Sequence, residues 1–207
     1  MEDFASKVII GEGPVPLKRI IDVAKGKRKI EISNNPEFID RIENSQKMLF
    51  QALDDEIPIY GVTTGFGKSC NKRMLRTAAL NNGSNLIRFH GCGTGEILGI
   101  EETRAAMMTR ILCFSNGYSG VSLELMKHMA DFLNYGITPT VPCEGSVGAS
   151  GDLTPMSYVA ATLTGDRDVF FRGERMPASE ALNKAGLQKY NFKPKEPLAI
   201  MNGTSTM

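Results

Sequence analysis

The chain has 207 residues, of which 42% are hydrophobic and 23% charged, and its formal net charge is +1. This composition is typical of an ordinary globular protein that is long enough to bury one good core. The near-zero charge and the lack of a long basic run argue against nucleic acid as a partner, and no apolar run approaches the ~20 residues that cross a bilayer.

The N-terminal quarter of the chain predicts two short strands and two helices. "KVIIGEG" predicts a strand followed by a turn, and "VPLKRIIDVAKG" has apolar residues at helical spacing up to Gly26. "KIEIS" alternates and predicts the second strand. Asn35 is the predicted N-cap of a longer helix, and Pro36 suits the first turn of that helix. This helix should run to about Asp55.

The remainder of the chain predicts mainly helices. After the glycine-rich loop "IPIYGVTTGFGKS", three segments have helical patterns, with Gly91, Gly117 and Gly136 placed to end them. "ITPTVP" should be extended, since residues before proline avoid the helical region. "TPMSYVAATLTG" predicts a short helix capped by Asp152 or Thr154, "DVFFRGERMP" a hairpin and "ASEALNKAG" a last helix.

These elements predict one domain over residues 1–207, of the α+β class and predominantly α. The final "LAIMNGTSTM" carries neither a polar tail nor a helix C-terminal signal, so we expect the chain to be cut from a longer protein. The four cysteines form no CxxC pair and there are only two histidines, which argues against a metal site. Scattered cysteines without a signal peptide indicate reduced thiols and a cytoplasmic location.

One glycine-rich stretch, "GVTTGFGKS" at Gly61–Ser69, is similar to a phosphate-binding loop and raises a nucleotide-binding module as one hypothesis. Val62 stands where that loop requires its first glycine, and the preceding segment does not predict a buried strand. Tyr60 and Phe66 instead place aromatic groups in the loop, which is unusual for a plain linker.

A second stretch, "EGSVGASGDLTP", contains almost no reactive side chains. Ser150 is not at a nucleophile elbow, because the following glycine, Gly151, comes one position early. Its neighbours leave the backbone sterically open, so the Gly151 nitrogen can fold back onto the Ala149 carbonyl. Loss of water from that ring and from the Ser150 side chain would leave an exocyclic methylidene, an electrophile. The positive end of the next helix would point at it.

Four motifs together resemble the aromatic amino acid ammonia-lyases and aminomutases. "GSVGASGDLTPMSYVA" is similar to the family signature, and "YGVTTGFG", "NLIRFHGCGTG" and "MNGT" match further family motifs in order and approximate spacing. The resemblance covers the chain from about Tyr60 onward. It implies that Ala149, Ser150 and Gly151 form methylidene-imidazolone (MIO) and that no external cofactor is needed.

The resemblance also implies roles for three other residues. Tyr60 matches the catalytic tyrosine that removes the β-proton, Asn202 the asparagine that contacts MIO and substrate, and His90 a substrate-binding histidine of histidine ammonia-lyases. The implied reaction converts L-histidine to trans-urocanate and ammonia. Phe89 and "GCGTG" differ from the usual histidine lyase pattern, so phenylalanine, tyrosine and an aminomutase reaction remain alternatives.

The family fold implies that this chain is the N-terminal domain of an ammonia-lyase/fumarase-aspartase-like protein without its central helical bundle. The implied protein is a homotetramer whose sites combine residues of several subunits, so we expect no lyase activity from these 207 residues alone. A third hypothesis is an interaction domain that has lost the chemistry. The presence of Tyr60, Ala149–Gly151 and Asn202 argues against it for the longer protein.

Overall fold

The computed structural model describes residues 7–73, 76–147 and 151–206, without the side chains of residues 76–82. Within this part of the chain the helices are α1 (Leu17–Ala24), α2 (Pro36–Asp54), α3 (Arg76–His90), α4 (Ile100–Phe114), α5 (Leu123–Tyr135), α6 (Leu153–Leu163), α7 (Ala178–Ala185) and α8 (Glu196–Met201). The strands are β1 (Val8–Ile10), β2 (Ile30–Ile32), β3 (Thr94–Ile97), β4 (Thr138–Pro139), β5 (Pro142–Glu144), β6 (Asp168–Phe171) and β7 (Glu174–Pro177).

The strands form three small sheets at the edges of the helical core. β1 and β2 pair in parallel, β3 pairs antiparallel with β5, and β4, β6 and β7 form an antiparallel sheet in that order. The predicted hairpin is confirmed, because β6 and β7 are joined at Arg172 and Gly173 with φ of 54° and 84°. Two positive-φ residues are what a two-residue hairpin turn requires.

Helix α6 is the centre of the fold. All of its residues except Leu153 are buried, which is expected of a helix packed on every side. It contacts α3, α7 and α8, while α4 packs against α1 and α5. Met107 and Ile111 of α4 are fully buried, and each such side chain stabilises the fold by about 1.5–3 kcal/mol. No helix in the described ranges is long and apolar enough to cross a membrane.

The predicted fold class is confirmed, and so are the local helix signals. Asn35 caps α2 by accepting a hydrogen bond from the Glu37 backbone nitrogen at 2.9 Å, and Gly136 ends α5 in the left-handed conformation. Two segments were not predicted. Thr94, in the "GCGTG" segment, belongs to β3, and Glu196–Met201 forms α8.

Arg104 of α4 ties two helix ends together inside the core. Its Nε donates to the Ala24 carbonyl at 2.8 Å, and its Nη2 donates to the carbonyls of Val23 and Leu133 at 2.9 and 3.0 Å. Those carbonyls lie near the C-terminal ends of α1 and α5, where helix carbonyls lack intrahelical partners. The buried guanidinium therefore fixes α1, α4 and α5 relative to one another.

Candidate active site

A cavity of about 660 Å³ opens between the loop that follows α2, the end of α3, and helices α4 and α8. We call it the central cavity. Its polar and charged lining residues are Tyr60, His90, Arg110, Tyr118, Ser119, Lys195 and Asn202. The structure therefore brings together three of the predicted site residues, Tyr60, His90 and Asn202, which are far apart in the sequence.

Tyr60 is held at the mouth of the cavity by its own loop. Its phenolic oxygen accepts a hydrogen bond from the Gly67 backbone nitrogen at 3.1 Å, and its ring meets Phe66 edge-on with centroids 6.0 Å apart. Gly61 has a φ of 69°, and a Cβ there would collide with the Phe66 ring. The glycine after Tyr60 thus lets the loop turn back over its own aromatic residue, which leaves Tyr60 55% exposed.

His90 is the last residue of α3, and its surroundings determine which ring nitrogen is protonated. Nδ1 lies 3.0 Å from the Leu86 carbonyl oxygen, which can only accept a hydrogen bond. Nδ1 must therefore carry the hydrogen, so Nε2 of the neutral ring is an acceptor. The Phe89 side chain is 82% exposed, and its ring contacts the His90 ring edge-on at 5.3 Å.

Gly151 lies directly against the segment that contains Asn202. Gly151 has a φ of 108°, and a Cβ at this position would lie 2.7 Å from the Gly203 nitrogen and 3.3 Å from Asn202 Oδ1. The other two residues predicted to form MIO, Ala149 and Ser150, lie outside the described residues. The one described end of the predicted MIO segment is therefore adjacent to Asn202.

Asp152 does not cap α6 in the way that we predicted. It occupies the N-cap position, but its side chain makes no capping hydrogen bond, and Thr154 lies within the helix. The fully buried carboxylate accepts instead from Ser146 Oγ and from the Thr206 nitrogen, both at 3.1 Å. α6 begins directly after Asp152, so its positive end lies beside Gly151 as predicted.

Sequence reasoning missed two cationic residues in the central cavity, Arg110 and Lys195. Arg110 Nη1 donates to the Asn202 carbonyl at 3.3 Å, and Lys195 Nζ donates to the Ser119 carbonyl at 2.8 Å. Burial lowers the pKa of both side chains. No described residue that lines the cavity is acidic, so the local charge is positive. Arg110 could have been noticed, because it lies on the apolar face of α4.

A buried carboxylate, Glu196, fixes the start of α8. It accepts hydrogen bonds from Ser122 Oγ at 2.7 Å, from the Lys193 nitrogen at 2.8 Å and from the Tyr190 hydroxyl at 3.0 Å. Burial, and secondarily the Glu196 charge, raise the pKa of Tyr190 far above its usual range. Because Ser122 is the N-cap of α5, the network joins α5 to the helix that ends beside Asn202.

The Gly61–Ser69 loop lacks the surroundings of a phosphate-binding loop. The preceding regular element is α2, whereas a phosphate-binding loop follows a strand. Gly67–Ser69 forms a single 3-10 turn, and the long helix that should begin at the lysine is replaced by this turn. The geometry therefore gives no support to the nucleotide-binding hypothesis.

Residues 15–207 match the family model described as aromatic amino acid lyase. The chain belongs to the aromatic amino acid lyase family. It is 36% identical over 201 residues to a histidine ammonia-lyase of Myxococcus xanthus, and 38% identical over 205 residues to a phenylalanine ammonia-lyase of Nostoc punctiforme. These alignments cover 97% and 98% of the chain but only 39% and 36% of the relatives.

Solved structures that are similar to this chain have the same fold. The ergothionase of Treponema denticola superposes with a TM-score of 0.92 at 31% identity, and the tyrosine aminomutase of Streptomyces globisporus with a TM-score of 0.89 at 30% identity. Each covers 97% of the chain, which spans 40% and 37% of those two proteins. Relatives with different named substrates thus share this part of the fold.

Proposed function

We propose that residues 1–207 form the single N-terminal domain, the MIO-bearing part, of a longer ammonia-lyase that converts L-histidine to trans-urocanate and ammonia. The observation that carries this proposal is the meeting of Tyr60, His90 and Asn202 at one cavity beside Gly151. The similarity to histidine ammonia-lyases supports the choice of substrate.

The surroundings of Gly151 fit the formation of MIO. Ring closure joins the Gly151 nitrogen to the Ala149 carbonyl carbon and releases the carbonyl oxygen as water. Ser150 then loses its hydroxyl and its α-hydrogen as a second water. Gly151 has a positive φ, and a Cβ at this position would collide with Gly203, so the site accepts a glycine and excludes a larger residue. MIO would supply an electrophile for the amine of the substrate.

The described residues can perform the remaining tasks. Tyr60 is positioned to take the β-proton as the carbon–nitrogen bond breaks and the double bond forms, and the hydrogen bond from the Gly67 N–H orients its phenolic oxygen. Nε2 of His90 can accept a hydrogen bond from an imidazole N–H. The positive charges of Arg110 and Lys195 favour a substrate that carries a carboxylate.

The chain covers 39% or less of the two curated relatives, so we propose that the active protein contains further residues and that the chain alone lacks lyase activity. We further propose a cytoplasmic homotetramer. The four cysteines are all unpaired and exposed, which supports a reducing compartment.

The test uses the intact native protein with L-histidine, L-phenylalanine and L-tyrosine, and acrylate absorbance is recorded. We expect urocanate from histidine, and a Ser150 peptide that is lighter by two water molecules. Ser150→Ala should abolish turnover, whereas Ser179→Ala on α7 should leave it unchanged. An unshifted peptide mass in active protein, or retained turnover in Ser150→Ala, would refute the proposal.

A second candidate substrate class is phenylalanine or tyrosine, which the similarity to a phenylalanine ammonia-lyase favours. Cinnamate or coumarate formed faster than urocanate would establish this alternative. A β-amino acid product without free ammonia would instead show an aminomutase.

A further inference from the structure

Helix α4 carries two buried arginines in very different surroundings. Arg104 makes three hydrogen bonds to carbonyls, as described above. Arg110 is only 5% exposed, yet its Nε and Nη2 have no hydrogen-bond partner among the described residues. Buried polar atoms without partners are rare in folded proteins, and each one calls for an explanation.

The guanidinium of Arg110 packs directly against Gly203, and this contact leaves no space for a side chain. A Cβ on Gly203 would collide with the Arg110 guanidinium nitrogens. A Cβ on Gly151 would in turn lie 2.7 Å from the Gly203 nitrogen. Gly203 therefore approaches both Arg110 and Gly151 closely, and it contributes only backbone to these contacts.

Within the part of the chain that the structure describes, Arg110 makes one hydrogen bond, to the backbone next to Gly203. Nη1 donates to the Asn202 carbonyl at 3.3 Å, and this carbonyl belongs to the peptide group that contains the Gly203 nitrogen. The Gly203 carbonyl accepts from the Asp152 nitrogen at 2.6 Å. A charged donor on one end of a peptide group strengthens the polarisation of the whole group. The cation thus acts on the Asn202–Gly203 peptide group, which touches Gly151, and the next peptide group along the chain accepts the hydrogen bond from Asp152.

We propose that Arg110 is a positioning residue that holds the Asn202–Gly203 peptide against Gly151 and thereby fixes Gly151, the residue whose nitrogen takes part in the proposed ring closure. The contact between the two segments follows from the described residues alone. Its consequence for ring closure rests on the proposed function.

The first test measures the contact directly by hydrogen exchange in the intact native protein. Arg110→Met should raise the exchange rate of the Asp152 amide by about tenfold, since a hydrogen bond to a charged group is lost next to its acceptor. Arg172→Met removes an exposed arginine at the β6–β7 turn and should leave the Asp152 exchange rate unchanged. An unchanged Asp152 rate in Arg110→Met would overturn the proposal.

The second test measures ring closure by the mass of the Ser150 peptide, at a temperature where circular dichroism shows every variant folded. Arg110→Met should lower the fraction that has lost two waters by about tenfold, and Arg110→Lys, which keeps the charge, should restore part of it. If Arg110→Met does not fold, Gly203→Ala displaces the guanidinium and should give the same loss. Full water loss in Arg110→Met or Gly203→Ala would overturn the role in ring closure. If the wild-type peptide keeps both waters, the proposed function fails, and the Asp152 exchange rate alone decides whether Arg110 holds the peptide.

Discussion

Replacing Arg104 with methionine removes three hydrogen bonds from the centre of the fold. The carbonyls of Ala24, Val23 and Leu133 would each lose a charged donor that now lies 2.8 to 3.0 Å away. Water cannot take its place, because the side chain is 5% exposed. The variant therefore leaves the buried Ala24 carbonyl without its Arg104 donor, while the carbonyls of Val23 and Leu133 keep only the backbone N–H groups of Gly26 and Gly136. The loss of buried hydrogen bonds is among the changes that destabilise a protein strongly.

The magnitude follows from these contacts. Each hydrogen bond to a charged group contributes about 1.5 kcal/mol at the low end of the usual range, so three contribute about 4.5 kcal/mol. The buried methionine side chain returns about 1.5 kcal/mol by the hydrophobic effect. We expect Arg104→Met to lower the free energy of unfolding by about 3 kcal/mol.

Urea denaturation followed by circular dichroism measures this loss. With an m-value of about 2 kcal/mol/M, the midpoint should fall by about 1.5 M. Arg172→Met is the matched control, because Arg172 is exposed and lies over the Phe171 ring at 4.9 Å, a contact worth about 0.5–1 kcal/mol. If the two variants unfold at the same urea concentration, the three carbonyl contacts do not stabilise the protein as argued.

Three further predictions test other parts of the structure. Burial lowers the pKa of His128 below that of the unfolded chain, so stability should fall as the pH drops below about 6.5, by at most about 1.4 kcal/mol per pH unit. His128→Gln should flatten this dependence in urea titrations at several pH values, and an unchanged slope would show that His128 is not its source. Gly151→Ala should lower the free energy of unfolding by at least about 2 kcal/mol, because a collision with Gly203 adds to the strain at positive φ. Gly173 also has a positive φ but open space around it, so Gly173→Ala should lower this free energy by about 1 kcal/mol. Equal urea midpoints for the two variants would contradict the close contact. Glu196→Gln should lower the free energy of unfolding by about 2 kcal/mol, because the buried groups that donate to the carboxylate would lose a charged acceptor. The control Glu180→Gln, at an exposed position, should lower it by less than about 0.5 kcal/mol. Equal losses for the two variants would contradict the network.

Elements whose signals are local could be predicted from the sequence. Asn35 and Pro36 define the start of α2, because the cap and the fixed proline φ act within one helical turn. Gly136 defines the end of α5 for the same reason, since only the backbone of one residue has to adopt the left-handed conformation. The presence of Tyr60, His90 and Asn202 in one site also followed from sequence, but through family resemblance.

Elements that depend on distant partners could not be predicted in this way. β3 exists because Thr94 pairs with Glu144, and neither segment shows clear alternation. α8 is six residues long, and it is anchored through Glu196 to Ser122, which lies 74 positions earlier in the chain. Asp152 was placed correctly at the start of α6, but its side-chain partners are Ser146 and the backbone of Thr206. Contacts of this kind leave no periodic signal.

The buried acids of this fold explain why a phenol is the better candidate for the base. Both oxygens of Asp152 accept hydrogen bonds, and the Glu196 carboxylate is surrounded by donors from Ser122, Tyr190 and Lys193, so neither is available to take a proton from a substrate. The described lining of the central cavity is left with cations and no carboxylate. A positive cavity attracts a carboxylate-bearing substrate. We propose Tyr60 as the base because it lines this cavity and matches the catalytic tyrosine of the family motif.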